Sequence, residues 1–123
     1  MAYSIRIDAE RRLVLVVVLD QCEASGAQGM ITSARQAAAE SGFCVLYDIR
    51  AARLGNLQST DVFWWPRSIP VLQDPAVRRV RAAVLHGPEH RDLMQFWETA
   101  YRNLGLPASA FEDEGLAMKW LSG

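Results

Sequence analysis

The run Leu13-Val14-Leu15-Val16-Val17-Val18-Leu19 contains no polar residue. Such a run is typical of a β-strand that is covered on both faces of its sheet. A second apolar run, Phe43 to Ile49, follows a segment from about Ala24 to Ser41 in which alanines recur at helical spacing. Gly42 stands where a helix C-cap glycine belongs. Strand, helix and strand at this spacing predict a βαβ unit with a right-handed crossover.

The segment before this unit alternates between apolar and polar residues. Tyr3, Ile5 and Ile7 share one face of the stretch Tyr3–Asp8, which is typical of a half-buried edge strand. Asp8 to Arg11 form a short polar connection. A loop this short predicts antiparallel pairing with the run Leu13–Leu19.

The segment after the unit alternates between helix and strand patterns. Ser59-Thr60-Asp61 offers N-cap chemistry for a second helix, and Pro66 and Pro70 predict that this helix is kinked or broken before about Leu72. Val80 to His86 predicts a third buried strand. We expect the clustered arginines at its start to be solvated.

The C-terminal third predicts two more helices separated by a short strand, Ser109 to Phe111. The first helix begins at Pro88-Glu89 and ends at Gly105, and the second begins at Glu112-Asp113-Glu114. The expected packing face of the first is Leu93, Phe96, Trp97, Ala100, Tyr101 and Leu104, and that of the second is Leu116, Ala117, Trp120 and Leu121.

These elements predict the order β-β-α-β-α-β-α-β-α in one domain spanning residues 1–123. The fold class is α/β, with a single mixed, mostly parallel sheet of about five strands and packed helices. A net charge of −1 argues against a nucleic-acid partner. No apolar run is long enough to cross a bilayer, which takes about 20 residues, and no signal peptide is visible. We therefore expect a cytoplasmic protein with free thiols at Cys22 and Cys44.

The element order and several local motifs resemble the STAS superfamily, more narrowly the SpoIIAA-like (STAS/CRAL-TRIO-like) stand-alone proteins of bacteria. The motifs are Val45–Arg50 at a strand end, Arg81–Val84, Asn103–Gly105, and Phe111–Glu114 followed by Ala117 and Trp120-Leu121. The resemblance implies a non-enzymatic regulatory or protein-interaction domain. Its CRAL-TRIO side implies, as the alternative, a protein that binds a lipid or another small apolar ligand.

The resemblance also implies a candidate phosphorylation site. In anti-sigma-factor antagonists a phosphorylatable serine begins the corresponding helix, and Ser59 and Thr60 occupy that place here. A helix N-terminus favours a phosphate. This sequence lacks the glycine of the family motif, however, and Asp61 would repel an added phosphate. The other interpretation is a plain helix cap.

Polar residues at the carboxyl ends of the parallel strands are the remaining candidates for chemistry. Asp48 and Arg50 fit a strand-end ion pair or an interaction site, and His86 and His90 lack the spacing of a zinc motif. A Ser59/His86/Asp48 triad has no supporting local signature. We expect no catalytic residue, no metal and no cofactor.

The motif Phe63-Trp64-Trp65-Pro66 is the candidate partner or ligand surface. If it is helical, Trp65 packs on the sheet and Trp64 points about 100° away from it. Trp64 is then either exposed or turned inward by the proline kink. The interaction hypothesis predicts exposed apolar residues near Trp64, including a possible self-association contact. The ligand hypothesis predicts a cavity between the sheet and residues Phe63–Leu72.

Overall fold

The computed structural model describes residues 1–123 and contains one five-stranded sheet. Its strands are β1 (Tyr3–Asp8), β2 (Leu13–Val18), β3 (Cys44–Asp48), β4 (Ala82–Leu85) and β5 (Ala108–Phe111). Its helices are α1 (Ala24–Ser41), α2 (Ser59–Ser68), α3 (Pro75–Arg78), α4 (Arg91–Arg102) and α5 (Glu114–Ser122). Short 3-10 turns lie at Pro70–Gln73 and Pro88–His90.

The strands lie side by side in sequence order. β1 pairs antiparallel with β2, and every other pair is parallel. The predicted mixed, mostly parallel α/β sheet is therefore confirmed, with α3 as an additional short helix.

The two faces of the sheet carry unequal helical layers. The larger core joins one face of the sheet to residues of α1, α2, α3 and α4, and the smaller core joins the other face to α5. Along β2, Val14, Val16 and Val18 face the larger core while Leu13 faces the smaller one. Because side chains alternate along a strand, this division explains why β2 carries no polar residue.

The second helix breaks where the prolines predict it, but its cap differs from the prediction. The N-cap is Gln58, and Ser59 is the first helical residue. Asp61 Oδ2 accepts a hydrogen bond from the Gln58 amide at 2.9 Å. α2 contains Pro66 and ends at Ser68, where the residue before Pro70 is extended.

Parts of the two C-terminal helices differ from their predicted packing faces. The first one begins at Arg91 and ends at Arg102, so Gly105 (φ +81°) forms the turn after the helix. Phe96 is exposed, as is Leu116 in α5. Each lies one residue before a buried one and therefore points about 100° away from the core.

The clustered arginines are not merely the solvated start of β4. Arg78 belongs to α3 and donates hydrogen bonds to the carbonyls of Leu72 and Leu104. Arg81 donates to the Trp120 carbonyl at 2.6 Å. Their side chains are half-buried because they satisfy carbonyl groups of neighbouring segments.

Candidate functional site: an apolar cavity beside a buried arginine

A cavity of about 50 Å³ lies between the larger-core face of the sheet and the helices above it. Its lining comes from the sheet, from α1, α2 and α4, and from the connections β2–α1 and β3–α2. All of the lining residues are apolar or weakly polar: Cys22, Ala27, Met30, Ile31, Tyr47, Ile49, Leu54, Leu57, Trp65, Val84, Met94, Trp97 and Tyr101.

Helical periodicity places the lining side chains of each helix on one face of that helix. Ala27, Met30 and Ile31 lie on one face of α1, and Met94, Trp97 and Tyr101 lie on one face of α4. The Trp97 and Tyr101 rings pack with their centroids 4.9 Å apart. The cavity walls are thus rigid aromatics together with two flexible methionines, which adapt more easily to a new shape.

The loop 50–58 closes one end of the cavity through Leu54 and the half-buried Leu57. Backbone hydrogen bonds hold it in both halves, including those from the Arg53 amide to the Asp20 carbonyl at 3.4 Å and from the Leu57 amide to the Leu54 carbonyl at 2.9 Å. The Cys22 amide donates to the Arg53 carbonyl at 2.9 Å, and His90 Nε2 lies 3.2 Å from the Ala52 carbonyl oxygen. The loop is therefore tied to neighbouring segments and covers the cavity with Leu54 and Leu57.

Arg35 lies beneath the cavity, on the same face of α1 and one turn beyond Ile31. Its side chain is only 1% exposed. Arg35 Nε donates to the Tyr47 hydroxyl at 3.3 Å, and its guanidinium carbon lies 5.6 Å from the centre of the Tyr101 ring. Arg35 Nη1 is buried without a hydrogen-bond partner, and no salt bridge of the structure includes this residue.

Two ionisable groups of the cavity wall, Tyr101 and Cys22, have pKa values raised by burial and are neutral at neutral pH. Burial raises the pKa of Tyr101 well above its usual range, although the charge of Arg35 acts in the opposite direction. Burial, with a smaller effect from Glu23, raises the pKa of the Cys22 thiol to about 11. These two groups therefore supply no negative charge to the buried Arg35 cation.

At the carboxyl ends of the strands, Asp48 and Arg50 form the expected ion pair, with Arg50 Nη2 at 2.8 Å from Asp48 Oδ2. The same nitrogen lies 3.3 Å from Glu114 Oε1 at the start of α5. Burial would raise the pKa of Asp48, but the hydrogen bonds from Arg50 outweigh burial and hold that pKa below its usual value. This arrangement joins β3 to α5.

Each of the two histidines lies within hydrogen-bond distance of a different backbone carbonyl oxygen. His86 Nδ1 lies 2.8 Å from the Gly87 carbonyl oxygen, and no hydrogen bond connects Ser59, His86 and Asp48. Nearby, Arg91 and Glu112 form an ion pair at 2.7 Å, and hydrogen bonds from Arg91 lower the pKa of Glu112. No three His, Cys, Asp or Glu side chains converge in a geometry for a metal ion.

The two tryptophans of the predicted surface on α2 differ in exposure. Trp65 is buried and lines the cavity, whereas Trp64 is 58% exposed. The half-buried Phe63 contacts Trp64 edge to face at 5.2 Å, and the Arg67 guanidinium lies 3.8 Å from the Phe63 ring centre. Ser59 and Thr60 are exposed in the first turn of this helix.

Sequence reasoning did not identify Arg35, Tyr47 or Met94 as site residues. A signal for Arg35 exists, because it lies three residues before Ala38 and four after Ile31, on the apolar face of the predicted helix.

Comparison with protein-family models, curated proteins and solved structures gave no match to this chain. No helix combines the length and apolar character needed to cross a bilayer.

Proposed function

We propose that this protein is a non-catalytic, STAS-like domain that binds a small apolar molecule in the cavity beneath α2, and that it works in the cytoplasm. The observation that carries the proposal is the wholly apolar lining, to which four aromatic residues contribute: Tyr47, Trp65, Trp97 and Tyr101. Concave sites with this lining are typical of ligand-binding pockets. Of the segment Phe63–Leu72, Trp65 contributes to the cavity wall, which supports the proposal.

The volume limits the size of the ligand. A cavity of about 50 Å³ is smaller than the roughly 150 Å³ of a protein cavity that binds benzene. Entry of a ring or a short alkyl chain therefore requires Met30 and Met94 to change rotamer, or the loop 50–58 to move outward. Thioether side chains make such changes at low cost.

The ionisable groups support a binding role rather than catalysis. Asp48 and Glu112 are each in an ion pair with an arginine, and the Cys22 thiol is protonated at neutral pH. A nucleophile needs a lowered pKa or an adjacent base. Cys22 has neither.

Titration with neutral probes tests the binding function. We expect octan-1-ol and benzyl alcohol to change the fluorescence of Trp65 and Trp97 and to raise the melting temperature of the protein. The variant Ala27→Leu fills part of the cavity and should weaken binding by about tenfold or more. Ala39→Leu adds the same atoms to α1 away from the cavity and is the matched control.

Equal binding by the wild type and Ala27→Leu, or no binding of either probe by the wild type, would contradict the proposal. Native mass spectrometry of the purified protein provides a second test. A ligand-sized adduct on the wild type that is lost in Ala27→Leu is the expected result, and an adduct retained by this variant counts against the cavity.

A second candidate function is protein interaction through the outer face of α2, defined here by Phe63, Trp64 and Arg67. The observation in its favour is the 58% exposure of Trp64, a large apolar surface on a helix that also forms the cavity wall. Partner binding or self-association should weaken in Trp64→Ser. Leu116→Ser, which changes an equally exposed residue on α5, is the control. Equal behaviour of both variants in sedimentation and pull-down measurements would exclude this face.

Phosphorylation at Ser59 or Thr60 is a separate proposal, supported by their exposure at the start of α2. A phosphate there would gain from the helix N-terminus but lie near Asp61. We expect Ser59→Ala to lose phosphorylation by cell extract, with Thr60→Ala as the companion variant. Unchanged phosphorylation and partner binding in both variants would exclude the switch.

A further inference from the structure

We propose that the ligand of this cavity is an amphiphile with a single carboxylate, and that Arg35 binds the carboxylate at the end of the cavity formed by Tyr47 and Tyr101. This inference rests on the proposed binding function and specifies the chemical class of its ligand.

The first step is the cost of the buried cation. An arginine side chain stays charged at physiological pH and carries five N–H donors. Arg35 is 1% exposed, uses Nε on the Tyr47 hydroxyl and leaves Nη1 without a partner. Buried charges in proteins are generally paired, because an unpaired one loses its hydration without compensation. The position therefore favours an anion that the chain itself does not provide.

The second step is the absence of an internal counter-ion. Arg35 belongs to none of the salt bridges, although the acidic residues Asp8, Asp20, Asp48 and Glu112 all have arginine partners elsewhere. Tyr101 cannot take this role, because burial keeps its phenol protonated. Its ring offers only a cation–π contact at 5.6 Å.

The third step is the position of the charge relative to the cavity. Arg35 is not itself a lining residue, but both residues that it contacts, Tyr47 and Tyr101, line the cavity wall. On α1 it follows the lining residues Met30 and Ile31 by one turn. A polar end placed at the two tyrosines would therefore lie close to the guanidinium, and it would contact Arg35 once the tyrosine side chains shift.

The fourth step selects the head group. One guanidinium balances one negative charge, and its planar donor fork matches the geometry of a carboxylate. A phosphate monoester carries up to two charges and needs more donors than this apolar site offers. A monocarboxylate on a short alkyl chain or a single aromatic ring therefore fits the charge and the donors, and it fits the volume once Met30 and Met94 change rotamer or the loop 50–58 moves outward.

The test compares each acid with its neutral counterpart on the wild-type protein. The probes are octanoate against octan-1-ol and benzoate against benzyl alcohol, measured by isothermal titration calorimetry at neutral pH. We expect the acids to bind roughly ten- to hundredfold more tightly, as a charge-assisted hydrogen bond to a buried cation implies. The alkyl and aromatic pairs distinguish a fatty acid from an aromatic acid as the preferred class.

The variant Arg35→Met retains length and removes the charge. It should bind octanoate and octan-1-ol with similar affinities, and its affinity for the alcohol should match that of the wild type. Arg35→Lys retains a charge without the planar fork and should keep part of the preference for the acid. A purely structural role for Arg35 would shift the affinities for acid and alcohol together.

The outcomes separate the inference from the function on which it rests. Binding of both alcohols by the wild type without a preference for the acids overturns the carboxylate inference and leaves apolar binding intact. A preference for the acids that persists in Arg35→Met also overturns it. Failure of all four probes to bind the wild type removes the proposed function and the inference together. The wild-type comparison remains decisive if a variant does not fold.

Discussion

Arg35 places a positive charge in an otherwise apolar layer between α1 and the sheet. Its long side chain is surrounded by core residues, so the methylene groups contribute packing while the guanidinium reaches Tyr47 and Tyr101. Removing hydration from a charge without an ion pair lowers the free energy of unfolding. An anionic ligand of the kind proposed would offset this cost.

Cys22 offers a direct chemical probe of the cavity. Because the pKa of its thiol is about 11, only about 0.1% is thiolate at pH 8, and iodoacetamide should label it slowly. The labelling rate should rise about tenfold per pH unit below that pKa while the protein stays folded. Peptide mass spectrometry measures this rate, with the half-buried Cys44 as the internal comparison. Fast labelling of Cys22 at neutral pH would contradict its burial.

At the scale of the elements, Asp48 and Arg50 connect the end of β3 to the start of α5. The folded pKa of Asp48 lies below its unfolded value, so the pair stabilises the fold above about pH 3.9 and loses this contribution as the pH falls through the folded pKa. Asp48→Asn should lower the free energy of unfolding by about 1 kcal/mol at pH 7.

Urea denaturation at pH 7 and at progressively lower pH measures this effect. The difference between Asp48→Asn and the wild type should shrink towards zero in acid. Glu40→Gln, at a residue that forms no ion pair, is the control and should show no such trend. A constant difference at every pH would show that the charge of Asp48 is not responsible.

The glycines of α1 form a matched pair of stability tests. Gly29 is exposed within the helix, and an added Cβ would meet no atom within 4 Å. Gly29→Ala should therefore raise the free energy of unfolding by about 1 kcal/mol. Gly42 has φ +73° at the C-cap, so Gly42→Ala should lower it by about 1 kcal/mol. Thermal or urea unfolding measures both, and shifts of the same sign would contradict the helix end.

At the scale of the whole molecule, the cavity is enclosed by elements of unequal stability. β2, β3 and β4 are paired on both sides, whereas the amides of Leu54, Gly55 and Asn56 donate no hydrogen bond within the chain. Segments with few backbone hydrogen bonds open with the smallest free energy. We therefore expect the loop 50–58 to open at residues 54–56, and a ligand of the proposed kind to enter there.

Hydrogen exchange followed by mass spectrometry tests this route. We expect the loop 50–58 to exchange fastest among the segments around the cavity, and saturating octanoate to slow that exchange. β3 and β4 should remain protected with or without the ligand, since their pairing does not depend on the cavity. Protection that appears on the outer face of α2 but not in the loop would place the ligand outside the cavity.

The sequence by itself determined the order of strands and helices, because periods of two residues and of about 3.6 residues are local properties of the chain. The strand within Leu13–Leu19, the helix α1, the break near Pro70 and the rotation of about 100° between Trp64 and Trp65 all followed from that, whereas the exposure of Trp64 was left open. The helical pattern placed Arg35 on the apolar face of α1, but only the tertiary structure decided that its Nη1 is unpaired, that Trp64 is exposed, and that Phe96 and Leu116 lie outside the core. These outcomes depend on which distant residues, such as Tyr47 and Tyr101, arrive at the same place, and no local pattern contains that information.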